Sequence, residues 1–472
     1  MVAPAADAPR APARATDSLR ALWHSAALPL DSLARASLTG ADPVMSSSFA
    51  VGTAAQVSTA AAALVATEIG RARNGLVQTV AVDMRHAALE CCGHFTIDGR
   101  QPETWDRLAG LYRCTDGNWV RIHTNFAHHR DGVLRLLGLA EGAETPREAV
   151  AAALAGWQAS AFEQAAADAG LVVAALRTPE EWQRHPQQAA IAAQPLVAIE
   201  RIGDADPLPW PELPLDAPPL DGLKVLDLTR ILAGPVAGRT LAAHGADVLL
   251  VNSPHLPNIP AIIDTSRGKR SALADLRRAD GREGLRRVLS DAHVFVQSYR
   301  PGALAALGFS DDALTAWRPG IVIVALSAYG SVGPWGARRG FDSLVQAATG
   351  FNLAEADAAC ARAPKALPMQ ILDMASGLLM AWGAQVALLR QRTEGGSWRV
   401  HVSLARTGQW LRELGRVVPG FIAPKTDFTG LMETSASNYG ELCAIRHAAK
   451  LSHTPVAWVR PSVQPGTDPL AW

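Results

Sequence analysis

The sequence predicts an α/β protein in which a mostly parallel sheet domain is joined to a smaller α+β domain. Three observations predict it. Residues 224–228, 247–251, 293–296 and 321–326 are short, nearly continuous apolar runs separated by helix-length segments. Such runs are strands buried on both faces, as in a sheet of βαβ units with right-handed crossovers. Residues 206–220, DPLPWPELPLDAPPL, hold six prolines and mark a linker between domains. Residues 367–404 read as a long apolar helix, a Gly395-Gly396 stop and an alternating strand.

Composition narrows the function. Of 472 residues, 49% are hydrophobic and 19% charged, and Lys plus Arg equals Asp plus Glu at 44 each. No bulk charge recruits nucleic acid or an anionic membrane. The five cysteines (Cys91, Cys92, Cys114, Cys360, Cys443) show no C-x-x-C spacing, which favours reduced thiols and leaves no metal site expected. The start, MVAPAADAPRAPARATDS, lacks the apolar core of a secretory signal. No run of about 18 apolar residues suggests a membrane span, so a cytoplasmic location is expected.

In chain order, residues 1–45 read as an Ala/Pro tail and a loosely helical stretch. Residues 46–105 contain an Ala-rich helix (53–71), an Asn74-Gly75 turn and an alternating strand (78–82). That is the plan of residues 367–404 at an offset of 320, with Val82 on Val402, Gly75 on Gly395 and Thr53 on Asp373. Read as an internal repeat, the first copy has lost its carboxylate, which leaves one site per chain. Residues 106–205 read as the small domain, with a hairpin around Asp116-Gly117, helices at 130–139, 146–155, 161–169 and 179–184, and a strand at 196–202. The linker 206–220 leads into the sheet domain, 221–415. The extension 416–472 is irregular, with helical propensity around 439–451.

Ligands of an open parallel sheet bind beyond the carboxyl ends of its strands. There the chain carries LTRILAGPVAGRT (228–240), DTSRGKRSALADL (264–276), VQSYRPGALAALG (296–308) and LSAYGSVGPWGARRGFDSLVQAATG (326–350), then DMASGLLMA (373–381). In this order the motifs resemble the class III coenzyme A transferases, of CaiB/BaiF or formyl-CoA transferase type, over residues 223–414. The small segment also resembles that family's G-x-[FY]-R-x-x-D-G-x-x-[VIL] entry at residues 110–120.

The resemblance implies a Rossmann-like sheet and a reaction in which an aspartate carboxylate attacks an acyl-CoA thioester. An acyl anhydride forms, then an aspartyl-CoA thioester, and CoA passes to a second, small carboxylic acid. Coenzyme A is then a substrate, and no cofactor is held permanently. Asp373 matches the catalytic aspartate. Read from the residues alone it is a helix N-cap worth about 1 kcal/mol, and its place at the helix head favours ionisation. Ala233, Gly234 and Pro235 open a helix whose N-terminus suits anions, and Arg230 adds a charge. By resemblance this loop borders CoA, Lys269 and Arg270 resemble the segment near the nucleotide phosphates, and Tyr299 and Arg300 the loop along pantetheine and adenine. Without the family these are turns with solvated basic side chains.

The chain also departs from the family. Asn252 replaces an acidic residue, Gln297-Ser298 replaces Glu-Asn, and no Gly-rich lid loop is found. The small domain precedes the sheet instead of following it, as in a permuted or duplicated module. Family members form interlocked dimers, so a homodimer is expected. Three competitors stand beside the transferase. Racemisation of an α-methylacyl-CoA needs acid and base on opposite faces of the α-carbon, and Gly340-Phe341-Asp342 lacks the histidine that the racemases carry there. A non-catalytic CoA-binding protein would keep the motifs without exchange. An NAD enzyme is disfavoured because the first turn has only Gly234 and Gly238. His123, His128, His129, His244 and His401 show no metal-ligand pattern and read as core or surface residues.

Overall fold

The structure, a computed structural model, describes residues 13–472; the first twelve residues of the expected Ala/Pro tail lie outside the described residues. Seven strands form the main sheet, in the order Lys269–Leu273, Asp247–Asn252, Lys224–Leu228, Val294–Gln297, Val322–Ser327, Ser397–Ser403 and Ala198–Gly203. All neighbours are parallel except the last pair. From Lys224–Leu228 the chain winds outward to Lys269–Leu273, then returns to the other side at Val294–Gln297. The topological switch point lies between Lys224–Leu228 and Val294–Gln297, which pair, and there an α/β sheet opens a crevice at its carboxyl edge.

Two strands differ from the sequence reading. Residues 269–273, read as a basic loop, form the edge strand, because Lys269 is buried in an ion pair and Ser271 is buried too. The C-terminal tail covers this edge: the Ser271 N–H donates to the Asp468 carboxylate at 2.8 Å, and the Asp468 N–H donates back to the Ser271 carbonyl at 2.8 Å. Ala198–Gly203, assigned to the small domain, crosses over and pairs antiparallel with the strand Ser397–Ser403. The small sheet itself comprises Gly110–Arg113, Trp119–Ile122 and Val173–Ala175, under helices that include Ala127–Leu136 and Ala159–Asp168. The helix expected at 439–451 is absent: Met432–Ser437 and Gly440–Ile445 form a hairpin that pairs with Phe95–Ile97, and Ala449–Leu451 pairs with Val80–Asp83. Alternating burial along the hairpin overrides local helix propensity.

The 320-residue offset is a structural repeat. Helices Val51–Asn74 and Ile371–Glu394 are each 24 residues long and start and end at matching positions. The residues before them, Ala50 (φ −76°, ψ 58°) and Gln370 (φ −79°, ψ 59°), share one backbone conformation. Each helix ends on a glycine whose N–H donates to the carbonyl four residues back, Gly75 to Arg71 and Gly395 to Gln391. Each leads into a strand and a further helix, Val80–Asp83 with Met84–Glu90 and Ser397–Ser403 with Leu404–Glu413. The two long helices pack on each other at the centre of the molecule, where the Gln385 amide donates to the Ala62 carbonyl at 3.2 Å. Ile371–Glu394 is long and apolar enough to cross a membrane, but 94% of its most apolar 18-residue window is buried in protein. It is the core helix of this fold.

Candidate active site

Asp373 is not an N-cap. It is the third residue of helix Ile371–Glu394, and the cap position, Gln370, makes no side-chain capping bond. The first-turn amides are capped from another element. Asp342, which opens the helix Asp342–Ala348, accepts the Asp373 N–H at 2.8 Å, and the neighbouring Leu372 N–H also favours its charged form. Gln346 holds the other Asp342 oxygen at 2.5 Å, and its own carbonyl accepts the Leu367 N–H at 3.0 Å, which ties down the segment before the helix. With Asp342 acting as cap, the Asp373 carboxyl is left free of that duty.

Both carboxyls are buried, Asp373 being 8% exposed. Burial pushes Asp342 up to about 6 despite the donors around it. Burial, and then the charge of Asp342, holds Asp373 well above the usual carboxylate range. The ionisation expected from the helix head alone is therefore opposed, because desolvation and a like charge outweigh the dipole here.

Two cavities meet at Asp373. The larger, about 420 Å³, lies over the switch point and is lined by Arg230, Ala233, Ser298, Tyr299, Arg300, Arg338 and Arg339, with His128 and His129 on its far wall. Four of its lining residues are arginines, and Asp373 is the only carboxylate in the lining. The smaller, about 280 Å³, is bounded by Cys91, Cys92, Phe95, Trp105, His123, Ile259, Met369 and Met374. Ile231, Leu232, Phe341 and Asp373 line both. Ile231 holds φ at 79°, a left-handed conformation costly for a β-branched residue, so the wall between the cavities stores backbone strain.

Glycines allow this convergence. A Cβ on Gly377 would stand 2.4 Å from the Ala233 carbonyl, so only glycine lets the Asp373 helix lie against the helix Ala233–Ala243. A Cβ on Gly234 would stand 2.6 Å from the Thr229 side chain.

Of the residues expected at a CoA site, Arg230, Ala233, Tyr299 and Arg300 come together on the larger cavity with Asp373. Gly234 and Pro235 are buried in the first turn behind it. Lys269 and Arg270 are placed elsewhere. Lys269 is fully buried, donating to Asp227 and to the Pro235 carbonyl at 2.8 Å each, so it braces the loop from behind. Arg270 pairs with Asp247 at 2.8 Å and donates to the Ala471 carbonyl at the sheet edge. Asn252 is also structural: its amide donates to the Thr229 carbonyl at 3.3 Å.

Nothing in the sequence marks out Arg338 and Arg339 of the quoted GARRGFD run, which line the larger cavity, or Asp342, whose role needs the fold to bring it under Asp373. Nor does anything there mark out the histidines. His123 stacks on Phe341, ring centroids 4.1 Å apart, and His128 stands 4.1 Å from His129. Burial pushes both His123 and His129 down to about 3, so they are neutral imidazoles. Among the described residues no group of three or more His, Cys, Asp or Glu side chains could hold a metal ion, and all five cysteines are free.

A family model described as CoA-transferase family III matches residues 32–209 and 220–414, and the gap between them falls in the proline-rich segment. Over 212 residues the chain is 35% identical to the acetyl-coenzyme A transferase nodX of Hypoxylon pulicicidum, covering 43% of this chain and 36% of that protein. Over 206 residues it is 34% identical to the probable fatty acyl-CoA transferase Rv3272 of Mycobacterium tuberculosis, covering 40% and 51%. It is 28% identical to a succinate–glutarate CoA-transferase of Agrobacterium fabrum, covering 41% and 52%. The crystal structure of the Mycobacterium tuberculosis protein overlays 42% of this chain and 58% of that one, at 32% identity and a TM-score of 0.38. The chain thus spans about a third to a half of the length of these curated relatives.

Proposed function

The chain belongs to CoA-transferase family III, and from that premise we propose that it moves coenzyme A between an acyl-CoA and a carboxylic acid, with Asp373 as covalent nucleophile. One observation carries the proposal: the buried Asp373 carboxylate stands where an arginine-lined cavity meets one whose lining holds no lysine or arginine. The first suits the phosphates of coenzyme A, since guanidinium groups bind phosphate through paired donors. The second suits the acyl group. The thioester carbonyl then falls at the junction, beside Asp373.

The chemistry balances without a cofactor. An oxygen of the Asp373 carboxylate attacks the thioester carbonyl carbon, the C–S bond breaks, and CoA leaves as thiolate from an acyl–aspartyl anhydride. The thiolate attacks the Asp373 carbonyl carbon, and the donor acid departs as its carboxylate. The acceptor carboxylate then attacks the aspartyl thioester, and the returning thiolate attacks the acceptor carbonyl of the new anhydride, which frees Asp373. No proton is consumed. Shielding from water keeps the anhydride from hydrolysis.

Incubation with a panel of acyl-CoAs and free acids, read by mass spectrometry of new thioesters, tests the activity. Asp373→Ala is expected to abolish exchange, and hydroxylamine is expected to trap the wild-type aspartyl adduct; wild-type turnover by the alanine variant would refute the nucleophile.

A second reading, exchange of the α-proton of an acyl-CoA, is favoured by one observation. His123 stacks on Phe341 and lines the acyl-side cavity with Asp373, which returns an imidazole to the site from another strand end. Deuterium entry at the α-carbon in heavy water, lost in His123→Ala, would establish it. The active unit is also proposed to be a homodimer in the cytoplasm, and sedimentation of a strict monomer would count against the assembly.

A further inference from the structure

We propose that the acyl-side cavity selects uncharged, largely apolar acyl groups, so that both acids exchanged are monocarboxylates; this rests on the transferase reading above. The walls carry the argument. Phe95, Trp105, Ile259, Met369 and Met374 supply apolar and polarisable surface. Burial pushes the Cys92 thiol up to about 11, so it is neutral, and the buried His123 is neutral as well. No Lys or Arg is among the residues lining this cavity, whereas four arginines line its neighbour.

The only other carboxylate on the wall, Asp264, is already bound by Arg239 and Arg267. Those two guanidiniums are further engaged by Glu90 at 3.5 Å and Glu433 at 3.0 Å. A second carboxylate on the acyl chain would therefore lose its hydration and meet no unpaired cation on the lining, beside two acidic side chains. The donor acid leaves from the cavity that the acceptor acid enters, so one selection acts on both.

One guanidinium stands outside this wall. Arg121 lies over the Trp105 indole, 5.1 Å from the ring centroid, and its Nε is buried without a hydrogen-bond partner. Trp105 is 43% exposed, so the fold tolerates its truncation. Removing the indole opens the cavity toward Arg121 and relaxes the discrimination against a second carboxylate.

The test compares isovaleryl-CoA and benzoyl-CoA with succinyl-CoA and glutaryl-CoA as donors, each with a labelled apolar acceptor acid, by kcat/KM on the full chain. The apolar donors are expected to lead by at least about 100-fold, and Trp105→Ala is expected to narrow the gap about tenfold or more by raising the dicarboxylyl rates. Calorimetric titration of the same thioesters into Asp373→Asn is expected to give the same order of affinity. Succinyl-CoA turned over within about tenfold of the best apolar donor, or bound as tightly as isovaleryl-CoA, overturns the selection. Apolar preference in binding with no exchange from any donor overturns the transferase reading and leaves the selection standing.

Discussion

At the scale of single residues, the site depends on a division of labour between two aspartates. Asp342 caps the helix, and Asp373 is thereby free to act; either carboxylate alone would have to do both. Their proximity has a pH consequence. The proposed attack requires ionised Asp373, so kcat/KM is expected to rise with pH along its acid limb. Asp342→Asn keeps an acceptor for the Asp373 N–H but removes the like charge, so the limb should move to lower pH; a pH–rate profile unchanged by the substitution would refute the coupling. Stability runs the opposite way. Asp342 is raised from 3.8 to about 6, so its favourable contribution is full below about pH 4 and is lost as pH rises through about 6. Melting temperatures of the wild type should fall over that window, with a loss on the order of 3 kcal/mol of stability, and those of Asp342→Asn should fall less. On the other cavity, Arg300→Ala is expected to raise KM for acyl-CoA about tenfold, near 1.4 kcal/mol, with kcat little changed.

At the scale of elements, the two 24-residue helices share one capping arrangement and differ in whether a second carboxylate stands beside it. In the first copy Asp42 plays the part of Asp342, accepting the N–H groups of Gly52 at 3.1 Å and Thr53 at 2.9 Å. Thr53 stands where Asp373 stands in the second, and its hydroxyl turns back to Asp42 at 2.8 Å. The capping device is thus retained while the second carboxylate is gone. Close approach holds the active copy in place. Gly377→Ala should cost about 1–3 kcal/mol in urea unfolding, because the new methyl must displace the Ala233 carbonyl or the Val236 side chain. It should also reduce turnover, since Ala233 and Asp373 line the same cavity.

At the scale of the molecule, both halves of the chain build one site. The first contributes Cys91, Trp105 and His123 to the smaller cavity, and the second contributes Asp373 and the arginines. Buried polar links fasten them: Glu355 accepts from the Ser48 N–H at 2.8 Å, and Glu90 accepts the Ala448 N–H at 2.8 Å. The proline-rich segment is itself packed, with Arg73 donating to the Pro211 and Pro219 carbonyls. A protease site inserted at Leu215-Asp216, where Leu215 is 64% exposed, should therefore yield two fragments that co-elute on gel filtration. Separation of the cut halves in native buffer would contradict the shared core.

The sequence by itself determined five of the seven main strands, the long apolar helix, the repeat at 320 residues, the family and the identity of the central carboxylate. Those features are written locally: a strand buried on both faces must be apolar throughout, a glycine pair must stop a helix, and ordered motifs survive without their fold. Only the tertiary structure decided which charges face the cavities. Lys269 and Arg230 are both basic residues in quoted motifs, yet one is buried against Asp227 and the other lines the larger cavity. The tertiary structure also gave the cap to Asp342, returned His123 to the site through Phe341, and turned residues 439–451 into sheet. Each of these depends on which distant segment is the neighbour, and burial, pairing and pKa are properties of neighbours in space.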